Sequence, residues 1–129
     1  MDYIKDEHRV HLIIYHLIWC TKRRKAVLVK DIATDCAIII KKKCEQYGWE
    51  VLNLSIQPEH VHLFVRAFPT IAPFQIIKEC KGISSYELRK KHKELLKLPC
   101  LWTRSYLAST AGNVSAQLIR DYIEAQSTK

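Results

Sequence analysis

"WEVLNLSIQPEHVHLFVRAF" (residues 49–68) contains two strand patterns separated by a two-residue break. Leu52, Leu54 and Ile56 alternate with Asn53, Ser55 and Gln57, the period-two signature of a strand with one face toward a core. Pro58 and Glu59 turn the chain, and in the next strand Val61, Leu63 and Val65 share one face. His60, His62, Phe64 and Arg66 share the opposite face. So short a connection predicts an antiparallel hairpin. Histidine is not a strong strand former, so the pair His60 and His62 asks for a reason beyond the fold.

Upstream, "VHLIIYHLIWC" (10–20) is rich in β-branched and aromatic residues and reads as a long strand ending in the basic loop "TKRRK". Asp31 is expected to cap a helix that carries Ile32, Cys36, Ile39, Ile40, Cys44 and Tyr47 at helical spacing and stops at Gly48. Downstream, Pro73 suits the first turn of a helix through Ile76, Ile77, Cys80, Ile83 and Leu88, with Gly82 as a possible bend. "CLWTRSYLAS" (100–109) reads as a fourth strand, and Gly112 and Asn113 separate it from a last helix, "VSAQLIRDYIEAQ". The order β-α-β-β-α-β-α predicts an α+β fold: a ferredoxin-like (RRM-like) split βαβ with an antiparallel sheet plus a C-terminal helix. Helices would cover one sheet face, leaving His60 and His62 on the other.

The chain-wide numbers bound the function. A length of 129 residues is expected to form one domain, 1–129. Apolar residues make up 48% and charged ones 26%, with three Gly and four Pro, which excludes disorder and low complexity. The apolar runs "HLIIYHLIW" and "CAIII" are too short for a bilayer, and "MDYIKDEHRVH" lacks a signal-peptide core. A cytoplasmic protein with no membrane partner is therefore expected. The five scattered cysteines form no C-x-x-C pair and read as small core residues. The net charge of +8 is clustered in "KRRK" (22–25), "KKK" (41–43) and "RKKHK" (89–93), which favours a polyanionic partner.

Side chains two apart on a strand project in parallel, so two imidazoles at this spacing can reach one metal ion. On the last helix Leu118, Ile119 and Ile123 form an apolar stripe, and Tyr122 and Gln126 fall inside it four residues apart. Burying an amide without a partner costs roughly 1–3 kcal/mol. Gln126 therefore either frays into water or binds something, and its carbonyl oxygen could complete a site begun by the histidines. Two imidazoles and a neutral amide would leave a divalent ion its full charge, which suits a phosphodiester substrate. Tyr122, one helical turn from a ligand, could attack phosphorus, form a phosphotyrosine link and expel a sugar oxygen, with reversal rejoining DNA.

His60-Val61-His62 and "YIEAQ" resemble the His-hydrophobic-His (HUH) motif and nucleophile helix of the single-tyrosine transposases of bacterial and archaeal insertion sequences. The resemblance extends over "YHLIWCTKRRK" (15–25), "PEHVHLFV" (58–65), "KGISSYELRK" (81–90) and "LWTRSYLAST" (101–110). It implies that His60, His62 and Gln126 bind magnesium or manganese and that Tyr122 forms a 5′-phosphotyrosine. It further implies cleavage of single-stranded DNA at element ends, recognition of subterminal hairpins, and a homodimer with shared active sites in which Gly112 and Asn113 are the hinge. Glu59 stands where the family often has Asp, with the charge kept.

The other tyrosines compete poorly. Tyr15 and Tyr106 are expected within strands, Tyr47 and Tyr86 at helical core spacing, and Tyr3 in the polar N-terminus. His11 and His16 fall on opposite strand faces; a packing or hydrogen-bonding role is expected for His16, while His8 and His92 read as solvated. Clustering nominates Lys22, Arg23, Arg24, Lys25, Lys78, Lys81, Arg89, Lys90 and Lys91 for DNA phosphates. Rival readings are an RRM-like module without catalysis, in which Phe64 stacks on a base, a relaxase or replication initiator using the same histidine pair, and a domesticated HUH nuclease.

Overall fold

Pairing of alternating strands organises the molecule. The computed structural model describes residues 12–110 and 116–129. β1 (Ile13–Cys20), β2 (Glu50–Ile56), β3 (His60–Ala67) and β4 (Leu107–Thr110) form one antiparallel sheet in the order β2-β3-β1-β4. With α1 (Lys30–Gln46), α2 (Pro73–Lys91) and α3 (Ala116–Ala125), this is the expected split βαβ plan with a terminal helix.

β1 and β3 lie at the centre and pair over eight residues, from Ile13 opposite Ala67 to Cys20 opposite His60. Val61, Leu63 and Val65 are fully buried on the face toward α1 and α2, where they join Leu17, Trp19, Ile40, Cys44, Ile76, Cys80 and Leu88. Each such apolar side chain contributes roughly 1.5–3 kcal/mol. That anchored face fixes the register, because a slip by one residue would drive the histidines into the core.

The structure departs from the sequence reading at several points. In β2 the pairing with β3 shifts between Val51 and Asn53, so Val51 and Leu54 both reach the core while Leu52 is 41% exposed. The extra residue of a bulge breaks the alternation that Leu52, Leu54 and Ile56 suggested. Only Leu107–Thr110 of the expected fourth strand pairs with β1. Residues 98–106 are held irregularly, through a bridge of Trp102 to Thr21 and a hydrogen bond from Thr103 N to Cys20 O of 2.9 Å. Tyr106 thus precedes the strand.

Val29, not Asp31, occupies the cap of α1, and Asp31 falls in the first turn, where a carboxylate complements the helix dipole. Gly48, at φ 74°, ends the helix as expected. α2 begins at Pro73 and runs through Gly82 to Lys91 without a break. Ser84 rather than Ile83 is its fully buried residue there, because its hydroxyl bonds Cys80 O and receives the indole N–H of Trp102.

Four cysteines are buried as expected, but Cys100 is exposed. Tyr47 and Tyr86 are surface residues, 48% and 63% exposed, rather than core aromatics. His92 is not solvated: its Nε2 meets Asp35 Oδ2 at 2.7 Å, tying the end of α2 to α1. Tyr3, His8, His11, Gly112 and Asn113 lie outside the described residues, and among those described no helix is long and apolar enough to cross a membrane.

The bulge makes a stability prediction. Leu63→Ala should cost roughly 2–5 kcal/mol in denaturant unfolding, whereas Leu52→Ala should stay within about 0.5 kcal/mol of the parent, as for a surface position. A large loss for Leu52→Ala would restore the unbroken alternation.

Candidate active site

The outward face of β3 does present His60 and His62 together, their Nε2 atoms 3.0 Å apart. Each ring is oriented from behind. Glu59 Oε1 lies 2.7 Å from His60 Nδ1, so that nitrogen donates and His60 Nε2 keeps its lone pair. His62 Nδ1 lies 3.2 Å from His16 Nε2, and His16 in turn stacks on Phe64 at 4.1 Å. His16 therefore has the hydrogen-bonding and packing role expected of it, and it lies against the ring that a base-stacking module would have to offer.

The state of this pair follows from proton counting. Two bare nitrogens cannot face each other comfortably at 3.0 Å, so either His62 Nε2 donates to His60 or a cation lies between them. In the first case His62 Nδ1 accepts from His16; in the second it donates to His16. Paired tautomeric changes of His62 and His16 separate the two. Burial, then the neighbouring His60 and His16, push the His62 pKa down to about 4, so near neutral pH its ring is uncharged.

The separation also suits a metal. Two cis ligands at about 2.1 Å from an octahedral ion are about 3.0 Å apart, and carboxylate-backed imidazoles are usual metal donors. Among the described residues no three His, Cys, Asp or Glu side chains converge on one point.

Gln126 is 3% exposed, in a 3-10 turn that follows α3. The frayed terminus that its position allowed is therefore not what the fold contains. Its Nε2 donates to Tyr122 O at 3.1 Å, which sets the amide's orientation, and its Oε1 accepts from Ser105 Oγ at 2.8 Å. Ser105 has a single proton and has committed it, so the 3.0 Å contact between Ser105 Oγ and Tyr122 Oη must be donated by the phenol. Burial, partly offset by the Ser105 bond, pushes the Tyr122 pKa up to about 12.

These two groups reach the histidine end of the sheet within one chain. Thr103, beside Ser105, bonds Cys20, and Cys20 pairs with His60. The nearby Cys20 also raises the Tyr122 pKa. Ile18 and Cys20 are fully buried although they share the histidine face, so that end of the face is covered. The C-terminal residue joins in, Lys129 O accepting from Arg23 N at 2.7 Å. Among the described residues the hydrogen bonds of Tyr122 and Gln126 run to Ser105, to each other and, for the phenol, to Thr103, not to the imidazoles.

The basic residues divide. Lys22, Arg23, Arg24 and Lys25 form a turn directly after β1, with Arg23 and Arg24 at φ 53°. Left-handed backbone costs roughly 1–2 kcal/mol per residue, and Thr21 helps hold it by donating to Lys25 O at 2.7 Å and Glu59 O at 3.2 Å. Lys78 and Lys90 are exposed on α2. Three others are engaged within the chain: Lys81 donates to Thr103 O (2.7 Å) and Ser105 O (2.9 Å), Arg89 to Leu98 O, and Lys91 pairs with Asp35.

Sequence reasoning missed Ser105, Thr103 and Thr21. The only trace of the first two was a pair of hydroxyls two apart in a stretch read as regular strand.

Paired imidazoles on one face of an antiparallel split βαβ sheet, with a tyrosine-bearing helix after β4, set this chain apart from a generic α+β domain. The family model described as "Transposase IS200 like" matches residues 9–126. The chain is 36% identical over 128 residues to the ISDra2 transposase TnpA of Deinococcus radiodurans, covering 97% of this chain and 91% of that protein. It is 25% identical over 115 residues to the transposase for insertion sequence element IS200 of Salmonella typhimurium, covering 87% and 75% of the two. A crystal structure of a Deinococcus radiodurans R1 protein assigned as a transposase superposes with a TM-score of 0.88 at 32% identity, over 98% of this chain and 99% of that one. A REP-associated tyrosine transposase bound to a REP hairpin shares the fold, with a TM-score of 0.58 at 13% identity over 94% and 69%. The chain belongs to the IS200-like transposase family.

Lys81 gives the site a measurable signature. Burial pushes its pKa down to about 8, from an ordinary 10.5. Between those values the unfolded chain binds more protons than the folded one, so the folded state gains stability as pH rises from about 8 to about 10.5. Lys81→Met should flatten that gain when melting is followed across the window. An unchanged pH dependence would place Lys81 in solvent.

Proposed function

We propose that the protein cuts and rejoins single-stranded DNA at insertion-sequence ends, with Tyr122 as nucleophile and His60, His62 and Gln126 as ligands for magnesium or manganese. The observation supporting this most is that the loop whose Ser105 holds the buried Tyr122–Gln126 pair is tied, through Thr103 N, to Cys20, the residue opposite His60 of the paired imidazoles.

In the step proposed, Tyr122 Oη bonds to phosphorus while the P–O3′ bond breaks; the phenol gives up its proton and the departing O3′ takes one up, leaving a 5′-phosphotyrosine and a free 3′-hydroxyl. A 3′-hydroxyl from another end reverses the step and regenerates the tyrosine, so no external energy is consumed. When bound, the divalent ion would draw charge from the non-bridging oxygens. Glu59 and His16 keep the imidazoles aimed, and the resting phenol needs help to lose its proton because burial holds it neutral.

Hairpin DNA is the expected partner, in line with the hairpin bound by the REP-associated relative. The strained basic turn at Lys22–Lys25, together with Lys78 and Lys90, supplies phosphate contacts near the site. The working form is a homodimer that shares active sites.

Incubation with a labelled single-stranded element end and manganese should yield a covalent protein–DNA band on a denaturing gel. Tyr122→Phe should abolish the band, and Glu59→Gln should lower its rate about 10- to 100-fold at limiting metal. DNA retardation with no adduct under any metal condition would instead indicate a binding module.

A further inference from the structure

We propose that Ser105 is a positioning residue for the Tyr122 nucleophile, its one hydroxyl holding the phenol and the Gln126 amide in a fixed mutual geometry. The inference rests on the functional reading above and adds a residue to it.

Ser105 Oγ bonds both groups: it donates to Gln126 Oε1 at 2.8 Å and accepts from Tyr122 Oη at 3.0 Å. Gln126 Nε2 returns to Tyr122 O, closing a ring of three hydrogen bonds. Within this ring the phenol proton points at Ser105, which leaves the phenol's lone pairs directed elsewhere.

Such a device works only if Ser105 itself is fixed, and its segment has no regular secondary structure. The Lys81 ammonium, reaching from α2, bridges Thr103 O and Ser105 O at 2.7 and 2.9 Å, while Thr103 N is tied to Cys20 of β1. The nucleophile is thereby referenced to the rigid sheet and to α2 rather than to the terminal helix alone. Such support of a reacting group is what orientation effects on rate require.

The test is single-turnover cleavage of a single-stranded element end by full-length protein with manganese, alongside DNA affinity measured in EDTA. Ser105→Ala, which removes the hydrogen bonds to both Tyr122 and Gln126, should lower the cleavage rate constant about 10- to 100-fold, with Kd for DNA unchanged. Ser105→Thr, which keeps the hydroxyl, should recover most of the rate. Should Ser105→Ala lose its cooperative melting transition, the nearly isosteric Ser105→Cys, with its weak S–H donor, carries the same comparison. An active parent with either variant equally fast or faster overturns the Ser105 assignment alone; loss confined to DNA affinity overturns it as well. A parent that forms no adduct overturns the functional reading and this role with it.

Discussion

Eight residues of antiparallel pairing between β1 and β3 are the constraint from which the rest follows. Val61, Leu63 and Val65 are pinned in the core, which leaves His60 and His62 on the opposite face with no other choice of direction. The same pairing brings His16 beside His62 and Cys20 opposite His60. A strand fully committed on one side thus becomes a rigid mount for chemistry on the other.

What completes the candidate site comes from less regular parts. Residues 98–106 bring Thr103 and Ser105 to the end of β1, and the C-terminal turn brings Gln126 and Lys129 to the same place. These contacts are polar and local, and they are joined by one hydroxyl and one ammonium. Tyr122 itself stands on the regular helix α3, so these local bonds join that helix to the end of β1.

The fold was legible because it is written in periodicity. The alternation in His60–Ala67 survives unchanged in the structure, and the apolar spacing of α1 and α2 survives except at Tyr47 and Ile83. Leu52 misled because a bulge inserts a residue without altering composition, and 98–106 misled because β-favouring residues there are held by tertiary bonds instead of a ladder. The paired histidines were visible as a motif, whereas Ser105 was not: a serine's importance here lies in which two side chains reach it, and no spacing encodes that. Likewise Lys81 read as one surface charge among many, yet its ammonium is directed at two backbone carbonyls.

The account's central claim is that the two Nε2 atoms on β3 and the Gln126 carbonyl share one divalent ion beside Tyr122. Anomalous scattering at the manganese edge, from crystals grown with single-stranded DNA and manganese, tests it most directly. The predicted result is a peak within bonding distance of His60 Nε2, His62 Nε2 and Gln126 Oε1, with Tyr122 Oη facing the phosphorus. Manganese bound away from these imidazoles, while DNA occupies the site, would contradict the account.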